Sequence, residues 1–192
     1  MTAARGRGDR SVTLRRRRRL VASLAAVGCV VLGAVLAGAV AGPGVGPFRS
    51  AADGERYLAA CAEAMTALPA PSQVRDLPTS FGTVRVYRFD GAGEGAPILA
   101  LPGTSSGVPV LADNLPGLLE HRDVYALDLL GEPGLSVQGT PVRSAAEQAA
   151  WLHEVLAQLA EPAVHLVGLS IGGWTAVNLA VHDPSHIASI TL

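Results

Sequence analysis

Between Ala163 and Asp183 a short apolar run passes into a helical pattern with no spacer, and the join reads Gly168-Leu169-Ser170-Ile171-Gly172. A strand that turns straight into a helix fits few architectures, and the rest of the chain repeats the theme. "TVRVYRF" (83–89) alternates, with Val84 and Val86 on one side and Arg85 and Tyr87 on the other. "PILAL" (97–101), "VYALDLL" (124–130), "AVHLVG" (163–168) and "IASITL" (187–192) are short, continuous apolar runs. Such runs suit strands buried on both faces. Between them lie the helix-compatible stretches "PVLADNLPGLLEH", "SAAEQAAWLHEVLAQLA" and "GGWTAVNLAVHD". The second opens on Ser144 with Glu147 three residues on, a capping-box pattern, and carries Leu152, Leu156 and Leu159 on one face. Strands and helices alternating through short loops predict an α/β domain over 79–192, with a parallel sheet and helices on both faces.

The segment before this domain divides in three. Residues 1–19 carry eight arginines against Asp9, a charge of +7, and residues 42–192 carry seven arginines against fifteen acids, a charge of −8. A basic tail beside an acidic body can signal nucleic-acid binding. Here the arginines abut an apolar run, so the reading is topological and no nucleic-acid partner is expected. "LVASLAAVGCVVLGAVLAGAV" (Leu20–Val40) has 21 residues and no charge. At ~1.5 Å per residue it spans a ~30 Å hydrocarbon core. Residues 20–41 are therefore read as an uncleaved membrane anchor. The alternative is a secretory signal segment cut at the Ala39-Val40-Ala41 pattern before Gly42. In both cases 1–19 is expected to stay cytoplasmic and the rest to face outward. Residues 42–78 hold a Pro/Gly linker and then a helix. In that helix Tyr57, Leu58, Cys61, Met65 and Leu68 recur at helical spacing, Pro69 stops it, and packing on the domain's rim is expected.

Cys29 lies inside the apolar run, so Cys29 and Cys61 make no framework disulfide; His182 and His186 are four apart, but no third metal ligand stands near them and they are read as solvated helix-end residues. No cofactor is expected. The sequence does not determine the oligomeric state.

Chemistry concentrates at the turn. A serine hydroxyl is a poor nucleophile that must reach both a base and a substrate. On a sharp strand-to-helix turn Ser170 projects above the sheet, and the crowding calls for glycine at 168 and 172. The helix starting at Ile171 aims free N–H groups at a developing oxyanion. After the strand "PILAL" comes Pro102-Gly103-Thr104, where Gly103 is read as letting the backbone turn the Thr104 N–H toward the pocket. The Thr104 and Ile171 N–H groups then form a two-donor oxyanion hole.

On these segments the chain resembles the α/β-hydrolase family, in its single-domain, esterase-like branch. "LPGTSSG" (101–107) takes the place of the usual His-Gly oxyanion loop, "DLLGEPGLS" (128–136) that of the Asp-x-x-Gly-x-Gly-x-Ser loop, and "GLSIGGW" (168–174) that of the nucleophile elbow. The opening "PFRSAADGERYLAACAEA" with "PTSFGTVRV" is similar to membrane-tethered or secreted bacterial members, and the resemblance covers 48–192. Pro102 stands where histidine is common, and Glu132-Pro133 widens the loop after Asp128. The resemblance implies a Ser170 acyl-enzyme acting on a small ester-type substrate, with Asp128 fixing its loop rather than serving as the triad acid. It also implies that acid and histidine follow the serine in chain order. After Ser170 come only His182, Asp183 and His186, at the foot of a dozen-residue helix some ~15 Å long. The expectation is therefore the N-terminal portion of such a fold, supplying nucleophile and oxyanion hole without acid or base. A non-catalytic fragment or pseudoenzyme lacking the triad acid and histidine is the alternative; perhydrolysis or carbon–carbon bond hydrolysis by the full triad is a third reading.

Overall fold

The computed structural model describes residues 48–192. The basic tail and the apolar run 20–41 lie outside them; among the described residues no helix is long and apolar enough to cross a membrane.

In chain order the elements are α1 (Ala51–Met65), β1 (Gln73–Thr79), β2 (Gly82–Phe89), β3 (Ile98–Leu101), a 3-10 turn (Val108–Leu111), α2 (Leu115–Leu119), β4 (Val124–Leu127), β5 (Val137–Gln138), α3 (Ala145–Leu159), β6 (Val164–Gly168), α4 (Ile171–His182) and β7 (Ile187–Thr191). The main sheet runs β1-β2-β4-β3-β6-β7, and the short β5 pairs with the start of β2.

The expected parallel sheet accounts for four of the seven strands. Strands β4, β3, β6 and β7 are parallel, but β1 pairs antiparallel with β2 and β2 antiparallel with β4. The reason is local: only Ser80 and Phe81 separate β1 from β2, and so short a link can only reverse the chain. Strand β1 was not legible in the pattern, since "QVRDLPT" is largely exposed and contains Pro78, which an edge strand tolerates. The stretch 109–121 forms no single helix either. It breaks into the 3-10 turn and the five-residue α2, with Pro109 and Pro116 each starting a piece.

Alternation along the strands builds two cores. Val84, Val86, Leu99, Leu101 and Leu127 face α3 and α4, meeting Trp151, Leu152, Val155, Leu156 and Leu179. Phe89, Ile98, Ala100, Val124 and Ala126 face the other way, onto Leu68, Val108, Leu111 and Leu115. Burying each leucine is worth about 1.5–3 kcal/mol. The predicted face of α3 is buried as expected, and Ser144 Oγ accepts the Glu147 N–H at 3.2 Å. The return bond differs from a strict capping box, because the Glu147 carboxylate accepts from Arg143 N at 2.6 Å.

Candidate active site

The parallel strands end at one edge of the sheet, and the loops 102–107, 128–136 and 169–170 leave from it. Ser170 occupies the turn between β6 and α4 with φ 51° and ψ −113°, a conformation that costs a non-glycine residue about 1–3 kcal/mol. The side chain is exposed, and no group among the described residues bonds it.

Crowding around the turn explains its glycines. A β-carbon on Gly168 would lie 2.4 Å from Gly173 N, and one on Gly172 would lie 2.4 Å from Leu101 O and 2.6 Å from Pro102 O. The second approach matters most for the chemistry. It seats the first turn of α4 against the backbone leaving β3, while Leu169 N donates to Leu101 O at 3.0 Å. Elbow and loop 102–107 are thereby one packed unit. Among the described residues no acceptor takes the N–H of Thr104 or of Ile171.

Gly103 has a different reason from the expected one. Its φ is not positive, and a β-carbon there would make ordinary contacts, 3.6 Å from Leu169 O and 3.7 Å from Ser170 Cβ. The residue keeps space open beside Ser170 rather than permitting the turn. The left-handed residue of this loop is Ser105, at φ 57°. Its N–H donates to Glu132 Oε2 at 2.6 Å, and Ser106 Oγ donates to Gly103 O at 2.8 Å.

Asp128 is buried beneath the loops. Its Oδ1 accepts from Val108 N at 2.9 Å and its Oδ2 from Leu135 N at 2.8 Å, so one carboxyl group ties two loops together. Burial pushes its pKa above the ordinary carboxylate value, while the two N–H donors pull it back. Gly134, at φ 143°, passes so close that a β-carbon would overlap the carboxyl, 2.2 Å from Cγ. Both acceptor oxygens are spent on backbone, which suits a structural role.

Helix α1 does more than pack on the rim. The Tyr57 hydroxyl donates to Gly134 O at 2.9 Å and accepts from Gly134 N, tying the helix to the Asp128 loop. Neither Tyr57 nor Glu132 was recognisable as a partner of these loops from sequence, since each acts on backbone dozens of residues away. Two recesses flank the elbow side of the sheet. One of about 170 Å³ includes Ile171, Trp174 and Glu132, and another of about 280 Å³ lies between α1 and residues 105–110.

The five histidines sit elsewhere. His121 precedes β4, His165 is the second residue of β6, and His186 precedes β7. His182 bonds the Asn178 carbonyl at 2.9 Å, and His153 faces Asp183 at 3.0 Å. All five belong to the opposite end of the sheet from Ser170. Among the described residues no cluster of three or more His, Cys, Asp or Glu could hold a metal.

The model of the alpha/beta hydrolase fold matches residues 96–192, half of the chain. The chain belongs to the α/β-hydrolase fold family. Among its relatives, carboxylesterase YbfK of Bacillus subtilis (strain 168) is 24% identical over 140 residues, covering 73% of this chain and 47% of that protein. The crystal structure of naproxen esterase (carboxylesterase NP) from Bacillus subtilis is 24% identical with a TM-score of 0.68, covering 75% of this chain and 50% of that one. The crystal structure of carboxylesterase CesB (YbfK) from the same organism has a TM-score of 0.67 at 23% identity, covering 71% of this chain and 48% of that one. At these identities the structural likeness bears on the fold. The chain spans about half the length of the curated relatives it matches.

Proposed function

We propose that this α/β-hydrolase domain cleaves a small ester through an acyl-enzyme on Ser170. The observation carrying the reading is Ser170 itself, held in a strained turn, together with the Thr104 and Ile171 N–H groups, which have no acceptor among the described residues. Ser170 Oγ attacks the carbonyl carbon and its proton passes to a base. The carbonyl oxygen becomes an oxyanion between the N–H groups of Thr104 and Ile171, each worth about 3 kcal/mol where such a donor has been removed. The carbon–oxygen bond to the alcohol breaks as the alcohol takes the proton, and water then releases the acid from Ser170. The likeness to carboxylesterases supports an ester as the bond cleaved.

No histidine approaches Ser170 among the described residues, so the base comes from outside them. This also gives the second reading its footing: a serine without a base keeps only the residual acceleration of binding and oxyanion hole. The experiment is hydrolysis of p-nitrophenyl acetate by the chain and by Ser170→Ala, with and without added imidazole as a surrogate base. The proposal expects Ser170-dependent turnover only when imidazole is present.

We propose further that residues 20–41 anchor or export the chain, leaving the hydrolase domain outside the cell. The support is the uncharged 21-residue run behind eight arginines. A reporter fused after Leu192 should be active outside the cytoplasm; activity confined to the cytoplasm overturns this.

A further inference from the structure

The recess that Ile171 borders combines apolar walls with a single carboxylate. Leu130 and Val142 line it from the loops, Trp151 from α3 and Ile171 from α4, around a space of about 170 Å³. Trp174 lines it too while keeping 47% of its surface exposed, so its indole is open to a visitor from solvent. Whole-ligand pockets run to roughly 300–1,000 Å³, so a space of this size admits one substituent of a ligand.

Most of the polar groups on its walls are already engaged. Gln148 Nε2 donates to Thr175 Oγ1 at 2.9 Å, and Gln148 Oε1 accepts from Asn178 Nδ2 at 2.7 Å. Glu132 is different. Its Oε2 accepts the Ser105 N–H at 2.6 Å, and among the described residues nothing donates to its Oε1. No Arg, Lys or His lines the recess, so no wall residue offsets that charge. An anionic group entering here meets the Glu132 carboxylate with no cation beside it. A neutral apolar group gains burial alone. A cation that carries methyl groups gains both: its charge faces the carboxylate and the Trp174 indole, and its methyls face Leu130, Val142 and Ile171. A bare ammonium is strongly hydrated and would bring N–H donors that these walls cannot satisfy. A fully methylated nitrogen has none.

We infer that this recess binds a small methylated ammonium group, held by Glu132 and Trp174. The inference goes beyond the Ser170 reading and stands without it, because the recess borders the elbow through Ile171 but binding there requires no reaction at Ser170.

Choline and its uncharged isostere 3,3-dimethylbutan-1-ol test it, since the two differ in charge and hardly in shape. Saturation-transfer NMR on their methyl protons gives the affinity of each for the full chain at fixed ionic strength. Choline should bind roughly threefold to thirtyfold more tightly, the combined effect of an exposed cation–π contact and an exposed ion pair. Glu132→Gln keeps an oxygen for the Ser105 N–H and removes the charge; Trp174→Leu removes the indole at an exposed position. Each should cut the preference for choline about twofold to fivefold. Glu120→Gln makes the same charge change at an exposed position that does not line the recess, and should leave the preference intact. Retained preference in Glu120→Gln together with its loss in the other two variants supports the site. No saturable choline binding, no preference over the isostere, a preference that survives both recess substitutions, or an equal loss in Glu120→Gln overturns it.

Discussion

Gly168 ends β6 with its α-carbon so near Gly173 that a β-carbon on it would lie 2.4 Å from the Gly173 nitrogen and 2.5 Å from the Gly173 α-carbon. Both obstacles are backbone, so no rotamer change relieves the clash. Gly168→Ala should cost about 1–3 kcal/mol, the usual range for overpacking, and should displace the first turn of α4. Urea denaturation measures the loss. An alanine variant as stable as the parent would mean that the elbow is looser than described.

Asp128 offers the clearest separation of a structural acid from a catalytic one. Asp128→Ala strands the N–H groups of Val108 and Leu135, at about 1–3 kcal/mol for each buried donor left unpaired. Asp128→Asn keeps one oxygen but turns an NH₂ toward a backbone N–H, and should lose about half as much. Unchanged midpoints in denaturant for both variants would remove Asp128 from its loop-fixing role.

Acid should act through Asp123 rather than Asp128. The Gly91 N–H at 2.8 Å, with the Arg88 guanidinium at 2.7 Å, holds the Asp123 carboxyl below the ordinary carboxylate range. Its stabilisation is therefore complete above the unfolded value of about 3.9 and is lost as the pH falls through the lower folded value. Asp128 has the opposite sign, because burial raises it and protonation favours the fold. Melting temperatures from pH 6 to pH 2.5 should fall less steeply below about pH 4 in Asp123→Asn than in the parent. Parallel curves would contradict the assignment.

The far side of the sheet predicts self-association. Trp174, Val177 and Val181 lie at i, i+3 and i+7 on α4 and are exposed, as is Leu192, while β7 is paired on one side only among the described residues. An apolar stripe beside an open strand edge recruits other chains. Sedimentation of residues 48–192 should show weight rising with concentration, reduced by Trp174→Glu with Val181→Glu. A concentration-independent monomer would contradict this.

The strand–Ser170–helix junction was legible because glycines and apolar runs are local signals. So were the buried face of α3 and the run "PILAL". Strand β1 was not, since its pairing with β2 leaves most of its side chains exposed and no apolar pattern marks it. Of the candidate site, the turns that carry the Thr104 and Ile171 N–H groups could be read from sequence, and the contacts that support those turns could not. Tyr57 on Gly134 and Glu132 on Ser105 join residues 77 and 27 positions apart, and nothing local to either residue announces the contact. Gly103 was expected to let the backbone turn, but its φ is not positive and a β-carbon there would meet only ordinary contacts beside Ser170.

Ser170 is proposed here as a positioned nucleophile whose base lies outside the described residues. Its most direct test is the difference in p-nitrophenyl acetate hydrolysis between the chain and Ser170→Ala, measured without and with added imidazole. Without imidazole the two rates should be equal, and with it a saturable, Ser170-dependent rate should appear. A Ser170-dependent rate in the absence of imidazole would contradict the missing base, and would make His182 and His186 the first residues to replace. Equal rates in its presence would contradict the nucleophile.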